Sequence, residues 1–111
     1  MDPKLLTGTL EMLILDVLAR ADSYGYELAQ TVLIASGERF DLKEGSLYPA
    51  LHRMQRRKLL RSYWVNTEDG RRRKYYTLTP KGRQVLKTKR SEWKQFSRGI
   101  QGVLGQTYVV A

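Results

Sequence analysis

The side chains best placed to do chemistry in this chain are cations, and they are gathered instead of spread. Residues 52–74 carry nine Lys/Arg against two Asp/Glu, whereas residues 1–51 carry four against eight, in a 111-residue chain of net charge +9. Solubility does not ask for such segregation. A polyanion does, because each phosphate neutralised by Lys or Arg releases condensed counterions and adds affinity independent of sequence. The chemistry on offer is phosphate neutralisation and hydrogen bonding to base edges. Other chemistries lack their reagents. There is no cysteine, His52 is the single histidine, and neither a phosphate-cradling glycine loop nor a Gly-x-Ser-x-Gly elbow occurs. Glu68-Asp69 precedes a glycine and reads as turn chemistry. No enzyme, metal site or cofactor is expected.

Cations of this kind act only if an element carries them into a groove. Leu47, Leu51 and Met54 recur at i, i+4, i+7 and give one apolar stripe of a helix, with Ser46, Pro49, His52, Arg53, Arg56 and Arg57 largely off it. Gly45-Ser46 suits the start of that helix through a hydroxyl cap, and Pro49 is tolerated within a first turn. After Leu60 the period becomes two. Leu60, Ser62 and Trp64 share one side, and in a second run, residues 74–78, Tyr76 and Leu78 lie together opposite Tyr75 and Thr77. Asp69-Gly70 between the runs predicts a tight hairpin, and Thr79-Pro80 a helix entry. Helix, strand, basic turn, strand, helix is the order of the reading helix and wing of a winged helix-turn-helix. The expected fold class is mainly α with a small β-hairpin (α+β), the winged helix-turn-helix being followed by a C-terminal dimerisation helix.

Upstream, an amphipathic helix is expected from about Thr9 to Ala21. Its apolar residues fall on two sides: Leu10, Leu13, Ile14, Val17 and Leu18 on one, Met12, Leu15 and Ala19 on the other. Such a helix needs its own core and a second surface, for which another subunit is the expected occupant. Asp22-Ser23 would open a helix over residues 24–35, with Tyr24 and Tyr26 as packing aromatics. No apolar run reaches the roughly 18 residues of a membrane span. Residues 10–18 are broken by Glu11 and Asp16, and the cytoplasm is the expected location.

With these residues in view, the chain resembles the PadR family of transcriptional regulators, in its short subfamily with one C-terminal helix. The resemblance rests on Gly45-Ser46-Leu47-Tyr48-Pro49-Ala50-Leu51, Tyr63-Trp64, Gly70-Arg71-Arg72-Arg73-Lys74-Tyr75-Tyr76, Leu78-Thr79 and Gly82. Tyr24-Gly25-Tyr26-Glu27-Leu28 and Trp93 extend it to residues 7–104. The pieces are short, but their order and spacing are specific. The boundaries implied are a DNA-binding unit at 1–78, a dimerisation helix at 79–105 and a tail at 106–111, with Gly99, Gly102 and Gly105 interrupting the last helix.

The DNA contacts expected are Lys43, Ser46, Tyr48, His52, Arg53 and Arg57 on the reading helix, and Arg71, Arg72, Arg73 and Lys74 on the wing. Tyr48 reads equally as a core tyrosine, and Arg56 and Lys58 as plain surface charge. Strand alternation forbids all four wing cations from facing one duplex, and Arg71 and Arg73 are the pair favoured. In the last helix Leu86, Trp93 and Ile100 are spaced by seven, as are Lys89, Phe96 and Val103. This heptad seam, with Leu10 and Leu13, predicts a two-fold homodimer. The reading is a repressor on a palindromic operator. In drug-sensing relatives the matching tryptophans form a slot for planar aromatic compounds, so the resemblance implies an effector pocket walled by Met12, Leu15, Trp93, Phe96 and Ile100. The alternative is a winged-helix adaptor that binds protein and never touches DNA.

Overall fold

The computed structural model describes residues 3–105. Its elements are α1 (Pro3–Thr7), α2 (Leu10–Arg20), β1 (Ser23–Tyr24), α3 (Gly25–Ala35), α4 (Glu44–Arg56), β2 (Leu60–Asn66), β3 (Arg72–Leu78) and α5 (Pro80–Leu104). The α+β winged helix expected from the sequence is present, with one more strand than the hairpin predicted. Ser23 and Tyr24 do not open α3. They pair antiparallel with Tyr76 and Tyr75, so the sheet order is β1-β3-β2. The tail expected at 106–111 lies outside the described residues.

One core holds the elements together. Ile14, Leu15 and Leu18 of α2 meet Leu28 and Val32 of α3, Leu47, Ala50, Leu51 and Met54 of α4, Leu60, Tyr76 and Leu78 of the sheet, and Leu86 of α5. Two expectations are corrected here. Leu15 is fully buried and Leu86 nearly so, both within this core, so Leu15 cannot wall an open pocket and Leu86 cannot form an intersubunit seam. Leu15 sits between the two apolar sides of α2 and is covered by the chain itself. Tyr26, expected to pack, is 65% exposed.

The reading helix begins earlier than expected. The N–H groups of Ser46 and Leu47 donate to the Lys43 carbonyl, and no side chain caps this end. Ser46 is therefore not a cap, and Pro49 falls in the second turn. The bond it forfeits would have gone to the Gly45 carbonyl. Gly45 and Pro49 are both exposed, so water can serve that carbonyl.

At the other end α4 closes in a Schellman motif. Leu59 N–H donates to Met54 O and Lys58 N–H to Gln55 O, with Lys58 at φ +63°. The entry to α5 is locked to this exit. Thr79 Oγ1 accepts from Gly82 N–H at 3.0 Å and lies 2.7 Å from the Lys58 carbonyl, while Thr79 N–H donates to Leu59 O. Gly82 is needed because a Cβ there would run into the Leu59 carbonyl and the Leu78 side chain. Gly99 and Gly102 do not interrupt α5. It runs 25 residues, about 37 Å at 1.5 Å per residue, and stops only at Gly105.

Candidate nucleic-acid interface

The geometry of α4 separates what it buries from what it offers. Leu47, Ala50, Leu51 and Met54 face the core. Gly45, Pro49, His52 and Arg56, at i, i+4, i+7, i+11, define the opposite stripe, with Tyr48 and Arg53 on its flanks. Arg56, expected from the sequence to be plain surface charge, stands near the middle of the outward face. His52, Arg53 and Arg56 are exposed, and no hydrogen bond or ion pair engages their side chains among the described residues. Lys43 is exposed and its ammonium is 2.6 Å from Asp41. Tyr48 is 38% exposed and lies over Gly25, where a Cβ would come within 2.6 Å of its hydroxyl. It is thus a half-buried spacer between α3 and α4 whose remaining face is open.

Arg57 is placed differently. Its guanidinium grips both oxygens of Glu11 on α2, at 2.9 and 3.1 Å, and Lys89 of α5 approaches the same carboxylate at 3.9 Å. This pairing turns Arg57 toward α2 and gives it a structural partner. A second carboxylate of α2, Asp16, lies between Arg20 and Arg90. The acidic front of the chain thereby neutralises part of its basic back.

The wing is a register-defined ladder: Leu60 pairs with Leu78, Ser62 with Tyr76, Trp64 with Lys74 and Asn66 with Arg72. Side chains of this parity share the sheet face that α4 covers, as the Gln55 to Ser62 hydrogen bond at 3.0 Å requires. Burial on this face pushes the Tyr76 phenol up, and nearby Tyr48 adds to the shift. Beyond the end of α4 the same face carries Trp64, Lys74 and Arg72. Arg72 lies over the Trp64 ring, 4.7 Å from its centroid, and the Lys74 ammonium is 5.6 Å from that of Tyr76.

Arg73 points to the opposite face. It stacks on Tyr24 at 4.4 Å, beside a tyrosine row Tyr24–Tyr75–Tyr63 with centroids 5.4 and 5.8 Å apart. The Tyr63 hydroxyl donates to Asp22 at 2.6 Å, and this bond holds the Tyr63 phenol above its ordinary range.

At the tip, Gly70 N–H donates to Thr67 O with Gly70 at φ +82°, and Thr67 N–H donates to Arg71 O. The loop has three residues and ends in a bulge glycine, one longer than the tight turn that Asp69-Gly70 suggested. Asp69 accepts from the Thr67 hydroxyl and from Arg71 N–H, which hold its carboxyl below the usual range. The Arg71 guanidinium is 3.7 Å from the same carboxylate. Of the favoured wing pair, then, Arg71 lies at the tip and Arg73 on the tyrosine face. The structure groups Arg72 and Lys74 with the reading helix. The parity is present in the sequence, because residues 72, 74, 76 and 78 alternate together and the period of two puts Tyr76 and Leu78 on one side.

A second surface lies between α1–α2 and α5. An open groove of about 870 Å³ is lined by Met12, Leu13, Phe40, Trp93 and Phe96, with Lys89 and Glu92 at its polar margin. Leu10 is partly buried against the core and is not part of the groove lining. Ile100 and Val103 stand farther along α5, exposed and outside the groove lining.

Fold and surfaces together define the winged helix-turn-helix class. The sequence matches the family described as the transcriptional regulator PadR-like family over residues 14–88, and the chain belongs to that family, whose members are transcriptional regulators and not enzymes. A PadR family transcription regulator from Clostridium difficile R20291 is 38% identical, with TM-score 0.75 over 86% of this chain and 98% of its own. A PadR-like regulator from Bacillus cereus ATCC 14579 is 33% identical, with TM-score 0.81 over 94% and 99%. Among curated proteins, the transcriptional regulator YqjI of Escherichia coli K12 is 31% identical over 85% of this chain, which spans 44% of YqjI's length. Among the described residues no helix is long and apolar enough to cross a membrane.

Proposed function

We propose that this protein is a cytoplasmic, homodimeric repressor that binds a palindromic operator, with α4 in the major groove and the β2–β3 wing on the adjacent backbone. The observation that carries the reading is the grouping of free cations on the outer stripe of α4 with braced cations on the same side of the sheet. His52, Arg53 and Arg56, with Ser46 and Tyr48 near the helix start, are the base-edge candidates. Arg72 and Lys74 are the backbone contacts, with Arg71 at the tip.

Dimerisation is supported by Trp93, Phe96, Ile100 and Val103, large apolar side chains of α5 that remain exposed among the described residues. A two-fold pair would place reading helices about 34 Å apart, one turn of DNA. The groove at Trp93 and Phe96 suits a planar aromatic effector, and occupying it would alter how α5 packs.

Selection of bound duplexes from a random pool tests the DNA reading, with an inverted repeat as the expected result. Sedimentation at micromolar concentration tests the dimer. Quenching of tryptophan fluorescence by planar aromatics, lost in Trp93→Phe and kept in Trp64→Phe, tests the effector.

A further inference from the structure

We propose that Trp64 is a positioning residue for DNA binding: its indole holds the Arg72 guanidinium toward the duplex, so a neutral side chain governs a phosphate contact. This rests on the DNA-binding reading above and names a residue that reading did not include. Three observations carry it. Trp64 is 56% exposed, too open for its size to be explained by the core. Arg72, diagonal to it across the strand pair, lies over its ring at 4.7 Å. Both side chains have the parity of Ser62 and Tyr76, which places them on the sheet face where α4 packs.

The physical reason is the cost of ordering a long cation. A free arginine loses much of its rotamer freedom when it grips a phosphate. A flat aromatic surface attracts a guanidinium through the ring quadrupole without taking any of its five N–H donors. Stacked on Trp64, Arg72 is ordered in advance and keeps its edge free for phosphate oxygens. A carboxylate could also order it, but would cancel the charge the contact needs, as Asp69 does in part for Arg71.

The test compares wild type, Trp64→Leu, Trp64→Phe, Arg72→Gln and the Trp64→Leu/Arg72→Gln double variant in duplex titrations at several salt concentrations. Circular dichroism first establishes that each is folded at the assay temperature. Trp64→Leu should lower the slope of log K against log salt by about one phosphate contact, as Arg72→Gln does, although it removes no charge. The double variant should bind no more weakly than Arg72→Gln alone, and Trp64→Phe should restore most of the slope.

In the free protein, the side-chain protons next to the Arg72 guanidinium should show an upfield ring-current shift that Trp64→Leu abolishes. A Trp64→Leu slope equal to that of wild type, or additive losses in the double variant, overturns the proposal while DNA binding stands. Arg72 protons without the shift in wild type overturn it independently of any DNA. A wild type that ignores duplex DNA sinks the parent reading, and this proposal with it.

Discussion

Wing and reading helix are both basic and both exposed, yet their charges are held in opposite ways. From the tip through the start of β3 each wing cation has a brace: Arg71 lies beside Asp69, Arg72 on Trp64, Arg73 on Tyr24 and Lys74 over Tyr76. On α4, Arg53 and Arg56 stand without one among the described residues, as does the His52 imidazole. Bracing suits a partner whose geometry repeats regardless of sequence, as a phosphate backbone does, because the side chain can be set before contact. Freedom suits base edges, which differ from step to step and reward a side chain able to search. Under the proposed function, the two regions divide register from reading.

Four changes would break or sharpen this contrast. The largest effect is expected where both regions share a foundation. Gly82→Ala drives a methyl into the Leu59 carbonyl and Leu78, and should cost about 3 kcal/mol, at the upper end for overpacking. Thermal melts should show it, together with weaker binding to every duplex.

Next comes Arg53→Ala, which removes a proposed base-edge contact. Preference for operator over random duplex should fall by about 1–3 kcal/mol, with the salt dependence on random duplex altered far less. Equal loss on both duplexes would erase the division between the regions.

Smaller still is Arg73→Gln. Because Arg73 faces the tyrosine row and not the α4 side, this change should leave the salt slope at its wild-type value. Stability should fall by about 0.5–1 kcal/mol through the lost contact with Tyr24. A slope reduced as far as that of Arg72→Gln would show that both wing faces meet DNA.

The smallest effect concerns the tip. Asp69 is held below its ordinary range by Thr67 and Arg71. A depressed carboxylate stabilises above its unfolded value and loses that contribution as pH falls through the folded one. Acid should therefore loosen the hairpin, and Asp69→Asn should flatten that dependence in amide exchange of Gly70 and Arg71 below about pH 4. The Tyr63–Asp22 bond has the opposite sign: a raised phenol stabilises below its unfolded value and loses that only in strong alkali.

Much of this was legible in the chain because periodic burial repeats. The stripe at Leu47, Leu51 and Met54 and the alternation around Tyr76 and Leu78 both locate real buried faces. β1 escaped notice because two residues cannot display a period; only its pairing to Tyr75 and Tyr76 makes it a strand. The glycines of α5 misled because each costs about 1 kcal/mol against alanine without forbidding helix, and a long helix absorbs that. Arg57 read as a DNA contact since nothing local reveals that Glu11, 46 residues away, would take it. The left-handed Lys58 was equally hidden, its conformation being imposed by Leu59 entering the core.

Glu11 joins three parts of the molecule. One carboxylate touches the final turn of the reading helix through Arg57 and the long C-terminal helix through Lys89, and its neighbours Met12 and Leu13 line the apolar groove. If the proposed effector enters that groove and shifts α5 from α2, the 3.9 Å approach of Lys89 to Glu11 would change, and the carboxylate's hold on Arg57 would be the route by which the proposed DNA-facing helix feels it. Sensing and reading would then be mechanically one event, joined at a single side chain.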